Sequence, residues 1–230
     1  MKARDDSEPL PGNLAPVPRS ARQSGLTLAV KRGLDVAVAI VVLALAAPFL
    51  LVVALAIRVE SPGPAIFRQV RVGRSGKAIT VLKFRSMVAD ADPLVHREFI
   101  LRQLGRESTQ GTGTFKVEGD PRITRVGRHI RRLSIDELPQ LVNVLRGDMS
   151  LVGPRPEVPY ALEAYEPWQL ERFSVLPGLT GPWQVSGRSR LSPAQMLELD
   201  VDYARRWSLG LDLQILARTP PALFKLHDSA

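Results

Sequence analysis

Asp136 and Glu137 are adjacent carboxylates in RRLSIDELPQLVNVLRGDMSLVGPRP, residues 131–156, a stretch otherwise rich in arginine. Such a pair has three uses: helix cap, ion-pair partner or reaction centre. As a cap, Ser134-x-x-Glu137 matches the capping box, in which the two side chains bond each other's backbone N–H. Leu138, Leu141, Val142 and Leu145 then follow the helical i, i+3, i+4, i+7 pattern, and Gly147 stands at the C-terminal glycine position. This predicts a helix over 135–146 with Asp136 in its first turn, where free N–H groups favour an ionised carboxylate. As chemistry, the same pair follows Arg131 and Arg132, and Arg155 is fixed between prolines in GPRP. An arginine in a stiff loop suits bidentate phosphate recognition. Cations around a carboxylate describe an ion-pair cluster. They equally describe a polyphosphate site where one carboxylate attacks phosphorus through an acyl phosphate and a second helps hold Mg²⁺. These residues support phosphoryl chemistry and leave the cap and ion-pair readings standing.

What positions the pair is a chain of 230 residues with a formal charge of +8, no cysteine and a pI near 10.4. The charge favours phosphate-rich partners: nucleic acid, anionic lipid or a phosphorylated substrate. One segment narrows that choice. Val36 to Ile57 is 22 residues without a charge, VAVAIVVLALAAPFLLVVALAI. A run of this length is a membrane segment by the length criterion. A cleaved signal fits poorly, because about 35 residues precede the run and it continues past ALAAP. A buried helix of a soluble protein seldom stays apolar on every face for so long. Pro48 divides the run into pieces of about 18 Å and 14 Å, neither able to cross a ~30 Å hydrocarbon core. The proline predicts a kink at Ala47–Pro48. Arg19, Arg22, Lys31 and Arg32 precede the run, and Arg58, Arg68, Arg71, Arg74 and Lys77 follow it. Four cations against five give no preferred orientation for a span. A bent, re-entrant helix fits better, with both ends on the cytoplasmic side.

Three parts follow: a disordered Pro/Ser-rich tail at 1–25, the re-entrant helix-break-helix at 26–60, and a cytoplasmic domain at 61–230 that carries the acidic pair. The fold class is α+β and mainly helical, with a short β-hairpin and amphipathic helices at the membrane surface. AIFRQVRVG and AITVLKFRS flank RSGK as the hairpin. Helices are predicted at 90–105, 122–132, 135–146, 158–174, 193–207 and 211–218, and a loop at 111–121. DAD at 90–92 and DVD at 200–202 imitate a D-x-D metal site. On helices, i and i+2 point to different faces, so both read as solvated surface. His96, His129 and His227 are too scattered for a metal set. Trp168, Trp183, Trp207 and the C-terminal LDLQILARTPPALFKL read as core or as interface anchors.

From about Lys31 to Thr219 the chain resembles the bacterial sugar transferases, monotopic phosphoglycosyl transferases of the type that initiates exopolysaccharide repeat units. The resemblance is carried by KRGLDV, the proline-broken apolar run, SPGPAIFRQVRVGRSGKAITVLKFRSM, DPRITRVGRHIRRLSIDELPQLVNVLRGDMSLVGPRP, LPGLTGPWQVSGRS and YARRWSLGLDLQILART. It implies a two-step reaction at the inner membrane. Asp136 attacks the β-phosphorus of a UDP-sugar and expels UMP, and a polyprenol phosphate, undecaprenyl phosphate, then takes the phosphosugar. Glu137 assists with metal or proton. Mg²⁺ is the implied cofactor, on Asp136 and Glu137. Lys83, Arg131 and Arg155 hold phosphate, and Ala47–Pro48 forms the bend, where relatives often carry Ser before the proline. The partners are then a UDP-sugar, polyprenol phosphate and the anionic leaflet, with no nucleic acid; a homodimer stays open. Many relatives carry further transmembrane helices ahead of this unit, so the chain reads as a minimal version. The sugar is not encoded in any legible motif. A glycosyltransferase releasing UDP and a non-catalytic lipid- or nucleic-acid-binding module are the competing classes.

Overall fold

The computed structural model describes residues 24–88, 120, 122–187 and 190–224, together with Glu98. The expected tail, the helix at 90–105 apart from Glu98, the DAD motif, most of the 111–121 loop, His96 and His227 lie outside the described residues.

Helix α1, Gly25–Glu60, is 36 residues long, starts at Ser24, whose hydroxyl accepts from the Thr27 N–H, and contains Pro48. It is long and apolar enough to cross a membrane. Helical structure runs through the proline without interruption, so the expected helix-break-helix is one element. Pro48 has no N–H to give the Ala44 carbonyl, and the turns on either side hold the helix together. Most of its apolar residues face outward; Asp35, Ala39, Val53 and Ile57 are the buried ones.

The hairpin expected around RSGK is present. Strands β1 (Ile66–Val72) and β2 (Ala78–Phe84) pair antiparallel from Ile66↔Phe84 to Val72↔Ala78. The reversal uses left-handed backbone at Ser75 and Gly76 (φ 57° and 75°). Helix α2 (Arg125–Arg132) starts at Thr124, whose hydroxyl accepts from Gly127 N–H. A 3₁₀ turn (Ile135–Glu137) and helix α3 (Gln140–Arg146) follow, ending at Gly147 with φ 89°, as the glycine position predicted. The single helix expected over 135–146 is therefore split. Pro139 cannot donate to the Ile135 carbonyl, and the Leu138 N–H takes that carbonyl at i+3 instead.

Two short strands escaped the sequence reading: β3 (Ser150–Val152) and β4 (Gly178–Thr180) pair in parallel. The helix predicted at 158–174 is two 3₁₀ runs, Pro159–Ala164 and Pro167–Ser174. Pro167 pushes the residue before it, Glu166, into extended backbone (ψ 155°), which ends the first run. Helix α4 spans Pro182–Ser186 and α5 spans Pro193–Arg206, the latter with a capping box from Ser192 and Gln195. Helix α6, Leu209–Phe224, is longer than its predicted 211–218 and passes through Pro220 and Pro221.

The main core joins Ala39 of α1, Val81 of β2, Leu141 and Val144 of α3, Leu151 of β3, Tyr203 and Trp207 with Ile215 of α6. A second cluster sets Val53 and Ile57 of α1 against Phe84 and Ile130. Both halves of α1, before and after Pro48, thus pack on one folded body. Of the three tryptophans, Trp207 is core; Trp168 and Trp183 are partly exposed.

Candidate active site

The turn carrying the acidic pair sits between the C-terminal end of α2 and strand β2, and the GPRP loop reaches it from β3. Glu137 Oε1 accepts from Arg155 Nη2 at 2.5 Å and from Lys83 Nζ at 3.4 Å, while Oε2 accepts from Arg155 Nη1 at 3.1 Å. This is a bidentate guanidinium–carboxylate pair, the strong geometry for these groups. Lys83, Glu137 and Arg155, separated by up to 72 positions in the sequence, therefore form one cluster.

The capping box predicted from Ser134-x-x-Glu137 does not form. Ser134 is itself left-handed (φ 56°) and its side chain makes no cap bond. Glu137 turns to the two cations instead, because a charge-assisted pair outweighs a bond to a neutral N–H.

Glu137 and Asp136 are electrostatically opposite. Burial pushes Glu137 toward its protonated form, but Arg155 and Lys83 reverse this and hold its carboxyl far below the usual range. At Asp136 burial and then the Glu137 charge raise the proton affinity, against the pull of Lys83, Arg131 and Arg155. A three-residue turn offers little dipole, so the helix-start bias expected to favour the ionised form of Asp136 is outweighed by burial and then by the Glu137 charge. Among the described residues no hydrogen bond or ion pair engages the Asp136 carboxylate. Arg131 acts on it through space. Burial also lowers Lys83 from the ordinary 10.5 to about 8, despite Glu137.

The loop under Arg155 is held at almost every residue. Gly153 N–H donates to the Thr180 carbonyl (3.0 Å) and Gly178 N–H to the Pro154 carbonyl (2.8 Å). The chains approach so closely that a Cβ at Gly153 would lie 2.3 Å from the Leu176 carbonyl oxygen. Farther along, Arg172 Nη2 donates to the Arg155 carbonyl, Arg71 Nη1 to the Pro156 carbonyl and Val72 N–H to the Glu157 carbonyl. Arg71, Gly153 and Arg172 were not singled out from sequence. Asn143 was also missed: fully buried, it donates to the Thr80 carbonyl and accepts from the Leu82 N–H, closing the free edge of β2. DVD is not the solvated pair expected. Asp202 pairs outward with Arg206, but Asp200 is 1% exposed and accepts from Arg172 at 2.6 Å.

Helix α1 reaches the same elements through the charges of KRGLD. Lys31 donates to the Val152 carbonyl and to Asp212, and Arg32 to the Val144 and Leu145 carbonyls at the end of α3. Asp35 accepts from Ser150 Oγ and from the Leu151 N–H.

Residues 26–226 match the family model described as bacterial sugar transferase. The chain is 39% identical over 193 residues to the exopolysaccharide production protein ExoY of Rhizobium meliloti (strain 1021), covering 84% of each. It is 45% identical over 201 residues to a UDP-glucose:undecaprenyl-phosphate glucose-1-phosphate transferase of Caulobacter vibrioides, covering 84% of this chain and 69% of that one. To the Escherichia coli (strain K12) protein of the same name it is 41% identical over 206 residues, which is 85% of this chain and 40% of that protein.

Proposed function

Because the chain belongs to the bacterial sugar transferase family, we propose that it moves a sugar 1-phosphate from a UDP-sugar onto undecaprenyl phosphate through an aspartyl intermediate on Asp136. An Asp136 oxygen attacks the β-phosphorus; the bond from that phosphorus to the bridging oxygen breaks, and UMP leaves with the oxygen. A phosphate oxygen of the lipid then attacks the same phosphorus, freeing the carboxylate and giving polyprenol-diphosphate-sugar. One observation carries this reading: Glu137 is saturated by Arg155 and Lys83, while Asp136 beside it is unengaged among the described residues and has a raised proton affinity. A more basic carboxylate is the better nucleophile once ionised. Lys83, Arg131 and Arg155 supply the positive field for the diphosphate. Glu137 orients Arg155 and Lys83 before substrate arrives.

Mg²⁺ fits this donor set in the mode that uses one or two carboxylates and completes its shell with substrate phosphates. Asp136 is the open ligand, whereas both Glu137 oxygens are taken by Arg155 and Lys83, so Glu137 would join only by giving up one of those cations. Bound there, the ion would neutralise charge on the diphosphate.

Re-entrant seating of α1 is supported by its packing. Lys31, Asp35 and Ala39 grip the same body that Val53 and Ile57 do, although Lys31 and Ile57 are about 39 Å apart along an ideal helix. A lone span would put those ends on opposite sides of a ~30 Å core. The catalytic part then faces the cytoplasm at the inner membrane.

The test uses the chain with undecaprenyl phosphate and a panel of UDP-glucose, UDP-galactose and UDP-N-acetyl sugars. UMP release is expected, and without acceptor a phosphosugar adduct in the intact-protein mass. Asp136→Asn is expected to lose both, by about a thousandfold or more. Release of UDP in place of UMP would mark a conventional glycosyltransferase. For topology, the chain lacks cysteine, so Ser24→Cys and Ser61→Cys report cleanly. Labelling of Ser24→Cys from the periplasmic side alone would overturn re-entry.

A further inference from the structure

We propose that Arg172 is a positioning residue for Arg155, acting through the backbone of the GPRP loop. The inference rests on the reading above, in which Arg155 meets substrate phosphate. Arg172 is 3% exposed, which bars it from contact with a substrate. Its guanidinium meets four acceptors. Nη2 donates to the Arg155 carbonyl at 2.9 Å and to Asp200 Oδ2 at 2.6 Å. Nη1 donates to Glu157 Oε2 at 3.3 Å and to the Tyr165 hydroxyl at 2.5 Å. Tyr165 and Phe173 lie against it, with ring centroids 5.9 and 5.5 Å from the guanidinium carbon.

Three physical points separate positioning from simple cohesion. First, a buried ion pair is a costly way to join two elements, since apolar residues of equal volume do so as well or better. The Arg172–Asp200 pair joins the Pro167–Ser174 turn to α5, where apolar packing would suffice for cohesion alone. Second, a guanidinium presents its donors in a rigid planar fork, so the direction of the Nη2–Arg155 bond is set by the other three partners. Third, Pro154 and Pro156 flank Arg155 and limit how the loop turns; a held carbonyl therefore fixes where the side chain starts. Glu157, in the same loop, accepts from Arg172 and Tyr165 and faces Arg71 at 4.0 Å, so the far side of the loop is tied to the same group.

Arg172→Lys keeps the charge and loses the fork. The full chain in nanodiscs containing undecaprenyl phosphate is assayed for UMP release with the most active UDP-sugar of the panel. Four proteins are compared: wild type, Arg155→Ala, Arg172→Lys and the double variant. The expectation is a 10- to 100-fold fall in kcat/KM for Arg172→Lys, because displacement of a catalytic group by about 1 Å costs roughly that much. In the Arg155→Ala background the same substitution is expected to cost less than about threefold, since there is no guanidinium left to misplace. Equal losses in both backgrounds, or no loss in wild type, overturn the proposal. If Arg172→Lys does not fold by thermal melt, Asp200→Asn takes its place, with a 3- to 10-fold loss and the same dependence on Arg155. A wild-type rate for Asp200→Asn, or a loss equal in both backgrounds, also overturns it. Failure of the underlying reading looks different: Asp136→Asn stays active, or Arg155→Ala costs nothing.

Discussion

Lys83 gives the sharpest prediction, because its proton sits in an accessible pH range. Its ammonium stands 3.4 Å from Glu137 Oε1, and burial brings its pKa down to about 8 even with that carboxylate beside it. One unit above that value, at pH 9, about a tenth of the molecules keep the charge. If the charged lysine is needed for the diphosphate, kcat/KM falls about tenfold per unit above roughly pH 8, and this profile reports the free enzyme. Lys83→Arg keeps its charge throughout and is expected to remove that alkaline limb. The assay is UMP release at sub-saturating UDP-sugar from pH 6.5 to 10. Stability runs the other way. The folded pKa lies below the ordinary 10.5, so between about 8 and 10.5 the unfolded chain binds more protons, and this group's contribution to stability rises with pH. A melting midpoint steady or rising across the window therefore separates loss of charge from alkaline unfolding. A rate flat to pH 10 in wild type, or the same limb in Lys83→Arg, refutes the assignment.

Asp35→Ala strips the acceptor from two buried donors, Ser150 Oγ and Leu151 N–H, and is expected to destabilise by about 2–5 kcal/mol, read as a drop in melting midpoint in nanodiscs. Asp35→Asn keeps one acceptor oxygen and should recover part of that loss. Gly153→Ala would place a methyl 2.3 Å from the Leu176 carbonyl oxygen and 2.9 Å from the Gly178 nitrogen, both backbone atoms. It is expected to cost about 1–3 kcal/mol and to lower UMP release by displacing Arg155, measured by melt and turnover on the same preparation.

Legibility followed locality. The hairpin was readable because seven-residue strands flank a five-residue turn and pair with each other residue for residue. Helix α5 was readable because Ser192 and Gln195 form its capping box within one turn. The capping box at Ser134 carried the same kind of signal and misled, because Glu137 has better partners 18 and 54 positions away. Nothing within four residues of Glu137 reports them. The β3–β4 pair failed for the same reason: three-residue strands in Gly- and Pro-rich stretches read as loop, and their register depends on a partner 28 residues distant. Asp200 looked like surface because its periodicity matches an exposed face as well as a buried one; only Arg172 distinguishes them. At the site itself, Lys83, Glu137 and Arg155 are legible in their motifs and do meet, whereas the residues that aim them carry no such local signal.

The grip of Lys31, Arg32 and Asp35 on β3 and α3 has a consequence for when the protein becomes active. Helix α1 turns most of its apolar residues outward and is also part of the interior, so with α1 seated in lipid as proposed, the folded body is not completed in water and tethered afterwards. A newly made chain whose first helix has not reached a bilayer presents β3 without its acceptor and lacks Ala39, Val53 and Ile57 from two clusters. Maturation and delivery thus become one event. Under the proposed chemistry this also limits waste: a reactive acyl phosphate forms only where its lipid acceptor lies within reach, and not in open solution where water would take the sugar phosphate.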